Sequence, residues 1–469
     1  MVNYQLEKTA LWLDVKPIIE SKSKPVKFEY RGMLHTELED IPIMKVVAID
    51  TVRDYAKNIG DYVHIEFSMS LGDYAAKLYP HRANIEFSIK TITLKEVSAE
   101  KDQNIDDVIE RYKAVFLPNE NKTISASDLE QFDQESLNKA NIVTIKLQLM
   151  DRSLEPLRIK TTSGAFRQVS QKTLLHNLMA GESNKVLVDG KPSIDGVDIV
   201  EPDNQQLCKH NIIKDGTLLT EIPSYIQEHM GGVYVSGIGN YLQTYNGKKL
   251  WFVYPLFSPK RFDALVSKLI VFAIPEERFP DLDRTYLQDG SVLKILANST
   301  KRYSDKADTE LMDKGSGFRM PNAASFMKKP VGTDNQQVTA KRVNLNYETV
   351  IRDRPDGLNY APLSNRISSN PFIEYSKIIA RDIARVDIIW DYANPRLLYP
   401  GMPCKYVYLV KDKLMELKGN LLFVHSFAAL EGSGLAAKLY RVKCQLTLSV
   451  ERASNVPDMV DTKETVGVF

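Results

Sequence analysis

The stretch Tyr440–Val450 constrains the fold more than any other part of the chain. Tyr440, Val442, Cys444, Leu446, Leu448 and Val450 alternate with Arg441, Lys443, Gln445, Thr447 and Ser449. Successive side chains of a strand point to opposite faces, so this order gives one apolar and one polar face, which a helix would mix. Four further extended runs precede it, at 386–390, 404–410, 413–417 and 420–425. Pro395, Pro400-Gly401-Met402-Pro403, Lys418-Gly419 and Glu431-Gly432-Ser433-Gly434 separate these runs and read as turns, because proline fixes φ and glycine reaches positive φ. Five short strands with breakers at this spacing predict a small antiparallel β-barrel over 371–452.

The first 169 residues are also strand-rich. The runs 43–49, 62–69, 84–90 and 112–117 carry β-branched and aromatic residues. A fifth run, 141–149, places Val143, Ile145, Leu147 and Leu149 on one face and leads into Asp151-Arg152. The C-terminal strand ends in the similar pair Glu451-Arg452, which raises the expectation of a second barrel in the first block.

Between them, 170–296 reads as a mixed α+β region. Ser170 caps a predicted helix bearing Leu174, Leu175, Leu178 and Met179, with Gly181 placed just past its end. A second helix is expected around 223–230, stopped by Gly231-Gly232, and a third is expected to follow Ser258-Pro259 with Phe262, Leu265, Val266 and Leu269 on one side. Asn246-Gly247 marks a hairpin, since both turn positions need positive φ. Residues 297–370 are poor in apolar residues and rich in breakers. From 294 to 342 the chain holds ten Lys or Arg against five acids. This segment is expected to be either a solvated linker or a polar extended arm that orders against a partner. The fold class that results is α+β, mainly β: two small antiparallel β-barrel domains (1–169 and 371–452) flanking a mixed α+β middle region, with the arm at 297–370 and a tail at 453–469.

At 469 residues the chain is long enough for several cores. A formal net charge of +1 argues against a protein that coats nucleic acid. The N-terminus lacks the pattern of a secretory signal, and the longest apolar run, Leu269–Ile274, falls short of the roughly 20 residues that span a bilayer, so no membrane insertion is expected. Cys208, Cys404 and Cys444 are widely spaced and odd in number, and are expected to stay reduced.

The constellations that carry chemistry are thin. Gly237-Ile238-Gly239 resembles the start of a dinucleotide fingerprint but falls in a predicted hairpin instead of between a strand and a helix. The pair Cys208 and His210 lacks companions at zinc-site spacing. Asp189, Asp195 and Asp198 depart from a calcium-loop pattern and suit turns better. No catalytic, metal-binding or cofactor-binding residue is expected, and no cofactor.

Taken together, the strand-rich block ending in Leu147-Gln148-Leu149-Met150-Asp151-Arg152, the middle region with its Tyr234–Tyr254 hairpin, and the C-terminal run with Tyr399-Pro400-Gly401-Met402-Pro403, Leu417-Lys418-Gly419 and Val424-His425 resemble the central baseplate hub proteins of contractile-tailed bacteriophages. That resemblance implies a non-enzymatic structural virion protein, assembled in the host cytoplasm into the tail baseplate as a homotrimer in which each chain supplies two barrels. It also implies contacts with the tail tube protein, the central spike protein and other baseplate proteins, and transient passage of DNA without specific binding. Six similar faces from three copies require two per chain. The expected interface residues are Arg441 and Lys443 on the polar strand face, with Lys328 and Lys329 in the arm. Rival readings are a tail-associated cell-wall or polysaccharide hydrolase, which needs an acid pair in a cleft, and the hub part of a bacterial contractile injection spike.

Overall fold

The computed structural model describes residues 11–20, 26–95, 107–117, 142–205, 207–274, 285–297, 299–303, 338–344, 347–352, 383–410, 413–431 and 438–451. In the first block lie β1 (Val26–His35), β2 (Asp40–Pro42), β3 (Lys45–Asp54), β4 (Tyr62–Ser70), β5 (Ile85–Lys95), β6 (Asp107–Phe116) and β7 (Ile142–Asp151). The middle carries β8 (Thr161–Val169), β9 (Leu187–Val188), β10 (Lys191–Pro192), β11 (Gly196–Ile199), β12 (Cys208–Leu218), β13 (Ile238–Tyr245) and β14 (Lys248–Pro255). Then follow β15 (Lys268–Ala273), β16 (Tyr286–Asp289), β17 (Val292–Ala297), β18 (Ser299–Tyr303), β19 (Val338–Asn344) and β20 (Tyr347–Arg352). The chain closes with β21 (Ile383–Trp390), β22 (Pro403–Val410), β23 (Lys413–Leu430) and β24 (Tyr440–Glu451). The protein is mainly β, and a 15-stranded mixed sheet draws strands from both ends of the chain.

The alternating stretch Tyr440–Val450 is half of that sheet's spine. It forms β24, and β24 pairs with β23 from Gly419 to Leu430. The other edge of β23 pairs with β22 from Lys413 to Asn420, then with β3 from Phe423 to Ala429. The register between β23 and β24 shifts between Leu421 and Phe423, where β22 gives way to β3. A bulge bends a strand and adds twist, and so lets one strand serve two sets of neighbours. The far edge of β24 divides in the same way, pairing with β21 over Cys444–Glu451 and meeting β1 at Tyr440.

Two strand circuits therefore share the β23–β24 hairpin, of which the first is closed by strand pairing all the way round. The first runs β23, β3, β4, β7, β6, β5, β1, β24, antiparallel throughout. The second runs from β23 through β22 to β15 and β17. From β17 it passes to β18 by chain continuity, with no pairing of β17 to β18 or β21 among the described residues, and it returns through β21 and β24. Two separate barrels, one from each end of the sequence, were the expectation; instead first-block strands complete a circuit with C-terminal ones. Local alternation reports which face of a strand is buried but not which distant strand lies beside it, so this pairing is invisible in the pattern.

Gly419 explains another difference. Lys418-Gly419 reads as a turn, yet it lies inside the 18-residue β23. A Cβ at Gly419 would sit 1.8 Å from the Ser449 carbonyl oxygen, so the glycine marks close approach of two backbones. The helix expected after Ser258-Pro259 is a single turn, Arg261–Ala264, in which Phe262 is buried while Leu265 and Val266 are exposed. Leu269 belongs to β15 instead. That strand is parallel to both β17 and β22, and its reverse face is covered: Phe272 and Ile274 pack with Leu11, Val15 and Ile18 of the segment containing helix Trp12–Ile19. Burial on both faces accounts for the unbroken apolar run Leu269–Ile274.

The middle region matches its expectation more closely. Ser170 Oγ accepts a hydrogen bond from Thr173 N and caps a helix that continues through Gly181 to Ser183. A second helix, Ile222–His229, precedes Gly231 and Gly232, both at positive φ. Asn246 and Gly247, at φ 50° and 74°, make the tight turn between β13 and β14. β13, β14 and β11 form a three-stranded sheet. Trp251, Leu174, Leu175, Ile222 and Ile226 fill a core of their own there, each fully buried.

Candidate functional site

Alternation along β24 sends Arg441, Lys443 and Gln445 to the outside of the sheet, each exposed, while Val442, Cys444 and Leu446 face inward. In register beside them on β23 stand Ala429, Phe427 and His425, and beyond those on β3 stand Ala48, Asp50 and Val52. The outer face is thus a ladder of mixed chemistry. Arg441 is turned back onto its own chain: its guanidinium donates to both carboxylate oxygens of Asp391, with the Nε bond at 2.9 Å, and lies 4.4 Å above the Tyr392 ring. The hydrogen bond it donates to Asp391 raises the Arg441 pKa further. His425 Nε2 meets Asp50 Oδ1 at 2.6 Å.

Lys443 differs from Arg441. It is exposed, forms no ion pair with a described residue, and stands opposite Phe427, itself 45% exposed. Of the four expected interface residues, two therefore share one face of one strand, with one tied down and one open to a partner. Lys328 and Lys329 lie outside the described residues.

The inner side of the first circuit holds polar groups that the sequence reading did not single out. Arg53 Nε donates to Asp61 Oδ2 at 2.9 Å, and its Nη1 donates to the Pro395 carbonyl at 3.1 Å. Desolvation alone would lower the Arg53 pKa, but the Asp61 carboxylate together with Tyr55 and Tyr241 outweighs it and drives the value up. Tyr241 OH donates to Asp61 Oδ1 at 3.0 Å. Tyr55 OH donates to Gln243 Oε1 at 3.1 Å, and Gln243 Nε2 donates to the Leu398 carbonyl at 2.8 Å. The network joins β3, β13 and the 395–398 turn, so all three sequence regions meet there. These residues are scattered from 53 to 398, and no local spacing links them.

Beside this network lies a cavity of about 70 Å³, lined among others by Tyr30, Thr51, Thr91, Glu110, Tyr112 and Ser426. Arg396 Nη2 stands 3.8 Å from Glu110 Oε2 across it. Burial pushes the Tyr30 and Tyr112 hydroxyls well above the usual phenol value. Thr91 and Ser426 are nearly fully buried, at 3% and 7% exposure. A polar space of this size suits a few water molecules, each needing two to four polar partners, and is well below the roughly 300 Å³ of organic-ligand pockets. Asp61 and Glu110 both line it, and each faces an arginine.

Two of the three aspartates weighed as a calcium loop are engaged otherwise. Asp189 accepts from Arg152 Nη1 and Nη2, and Asp195 Oδ2 accepts from Lys249 N at 2.6 Å. Cys404 and Cys444 are free thiols, both fully buried. Among the described residues no helix is long and apolar enough to cross a membrane.

No protein-family model matches the chain, and no curated protein matches it. Among solved structures it is similar to the 43 kDa tail protein of prophage MuSo2 from Shewanella oneidensis, with 10% identity over 90% of this chain and 98% of that one, at a TM-score of 0.43. It is also similar to a chain of the lidless PdpA–VgrG complex, with 9% identity over 92% of this chain and 66% of that one, at a TM-score of 0.36. A chain of the half-lidded Francisella PdpA–VgrG complex gives 9% identity over 98% of this chain and 64% of that one, at a TM-score of 0.35. The chain thus spans about two thirds of the matched chains in the VgrG complexes.

Proposed function

We propose that the protein is a structural subunit of a phage tail baseplate: a central hub in which three copies surround the channel for DNA, between a sixfold tail tube and a threefold spike. The observation that carries this reading is the pair of strand circuits built on one β23–β24 hairpin. Three chains with two circuits each offer six circuits around one axis, which is what an adaptor between threefold and sixfold neighbours needs. The circuits are unequal, eight strands against seven, so the sixfold match is approximate in this reading. A balanced overall charge suits a channel wall that lets DNA pass, because retention grows with the number of phosphates neutralised.

The test is mass and activity together. The purified full chain is expected to sediment as a trimer, to be present at three copies per tail, and to leave cell-wall polymer uncleaved. A monomer that releases sugar or peptide from cell walls overturns the proposal.

A further inference from the structure

The polar interior of the first circuit is rich in groups that can donate a hydrogen bond. Tyr30 of β1, Thr51 of β3, Thr91 of β5, Tyr112 of β6 and Ser426 of β23 all line the cavity of about 70 Å³, one hydroxyl from each of five strands. None of these hydroxyls bonds to a described residue. Thr91 and Ser426 are only 3% and 7% exposed, so bulk water does not serve them freely. Burial keeps the two phenols protonated, and both can therefore donate.

Arg396, from the turn Pro395–Leu397, adds a cationic donor to the same space. Its Nη2 is buried and donates to no described residue, because Glu110 Oε2 stands 3.8 Å away, beyond hydrogen-bonding reach. The other charges along the wall are settled. Arg53 donates to Asp61 and to the Pro395 carbonyl, and the two Asp61 oxygens accept from Arg53 and Tyr241. The charged group that lacks its bond is thus a cation, and a guanidinium can only donate, whereas hydroxyls turn to suit their neighbour.

A buried donor left without an acceptor costs about 1–3 kcal/mol, and more when it is charged. Water would accept from Arg396 but would bring no countercharge, and an anion supplies both. Two arginines and two carboxylates line the cavity and sum to zero, which favours a single added charge over a double one. One water needs about 10–15 Å³ of such space, so there is room for one ion little larger than a water together with a few waters. We propose that the interior of the first circuit binds one small monovalent inorganic anion of chloride size, held by Arg396 Nη2 and the hydroxyls around it. The ion ties the 395–397 turn to the strand wall, and the site stands independently of the hub reading.

An anion that binds only the folded chain stabilises it as its concentration passes the dissociation constant. Thermal melts of the full chain at equal ionic strength are expected to show the midpoint rising along a saturating curve when chloride, bromide or nitrate replaces gluconate. Arg396→Gln removes the charged donor and is expected to weaken the fitted affinity about tenfold or more. Glu110→Gln removes the acid that faces the ion and is expected to tighten it about threefold. A purely structural Arg396 would give no anion dependence and no opposed effects of the two variants. Crystals of the parent chain grown in bromide are expected to show an anomalous peak within hydrogen-bonding distance of Arg396 Nη2, a readout that needs no variant to fold. Equal midpoints in chloride and gluconate, a saturable rise that a folded Arg396→Gln chain leaves unchanged, or water alone in the cavity at high bromide overturns the proposal.

Discussion

The two circuits share a hairpin and differ in what fills them. Around the seven-strand circuit the inward side chains are dry and large: Trp390, Ile388, Leu446, Leu448, Val271 and Ile295 are all fully buried. The eight-strand circuit is filled in part by Phe67, Phe87 and Leu147, each at 0% exposure, and elsewhere leaves the cavity with its Arg53–Asp61 pair. Interior width grows with strand number, so the wider circuit outruns the reach of apolar side chains along part of its length. What remains is closed by long polar side chains that meet in pairs. The difference teaches that one β24 strand can present a single apolar face to two interiors of unlike character.

Substitutions on either side put that contrast to the test. Trp390→Ala empties the dry circuit and removes the donor to Thr285 Oγ1, so it is expected to cost toward the upper end of about 3–5 kcal/mol in chemical denaturation. Arg53→Ala leaves Asp61 without its ion-pair partner in the wet circuit, with side-chain exposures of only 14% and 20%; a loss of about 3 kcal/mol is expected. Replacing both members with apolar residues of like size should lose far less, and an equal loss from the double variant would break the distinction between wet and dry interiors.

Alkali should find the shared wall. Burial pushes the Tyr440 hydroxyl, which donates to the Val46 carbonyl, from 10.0 up to about 12. A group with its folded-state value raised gives stability that is whole below its unfolded value and fades as pH climbs through the folded one. The Tyr440 share of stability is therefore expected to hold to about pH 10 and to fall by on the order of 2 kcal/mol toward pH 12, and Tyr440→Phe is expected to make the alkaline fall shallower by that share while the other buried tyrosines keep the rest. Arg441→Ala on the outer face has the smallest expected effect on the isolated chain, under about 1 kcal/mol, since its side chain is 46% exposed.

Strand identity was legible wherever alternation was strong, as in β4, β7 and β24, and turn chemistry located Asn246-Gly247 and the Ser170 cap correctly. Gly419 was misread because a glycine that permits close backbone approach looks the same in sequence as one that permits a turn. Leu265, Val266 and Leu269 misled because a short apolar cluster fits a helix face as well as a loop entering a doubly covered parallel strand. Arg441 and Lys443 were correctly set on the polar face, yet Asp391, the partner that captures Arg441, lies 50 residues away and carries no local signal. The Arg53 network is illegible for the same reason on a larger scale.

A wall common to two rooms cannot be moved for one alone. Because β23 runs unbroken through both circuits and β24 zips against it from Gly419 to Leu430, there is no linker about which one circuit could swivel on the other. Torque applied to the first circuit passes straight into the second. In the proposed assembly, mismatch between neighbours would have to be taken up by surface loops and by the seams between copies, with the subunit acting as a rigid spacer.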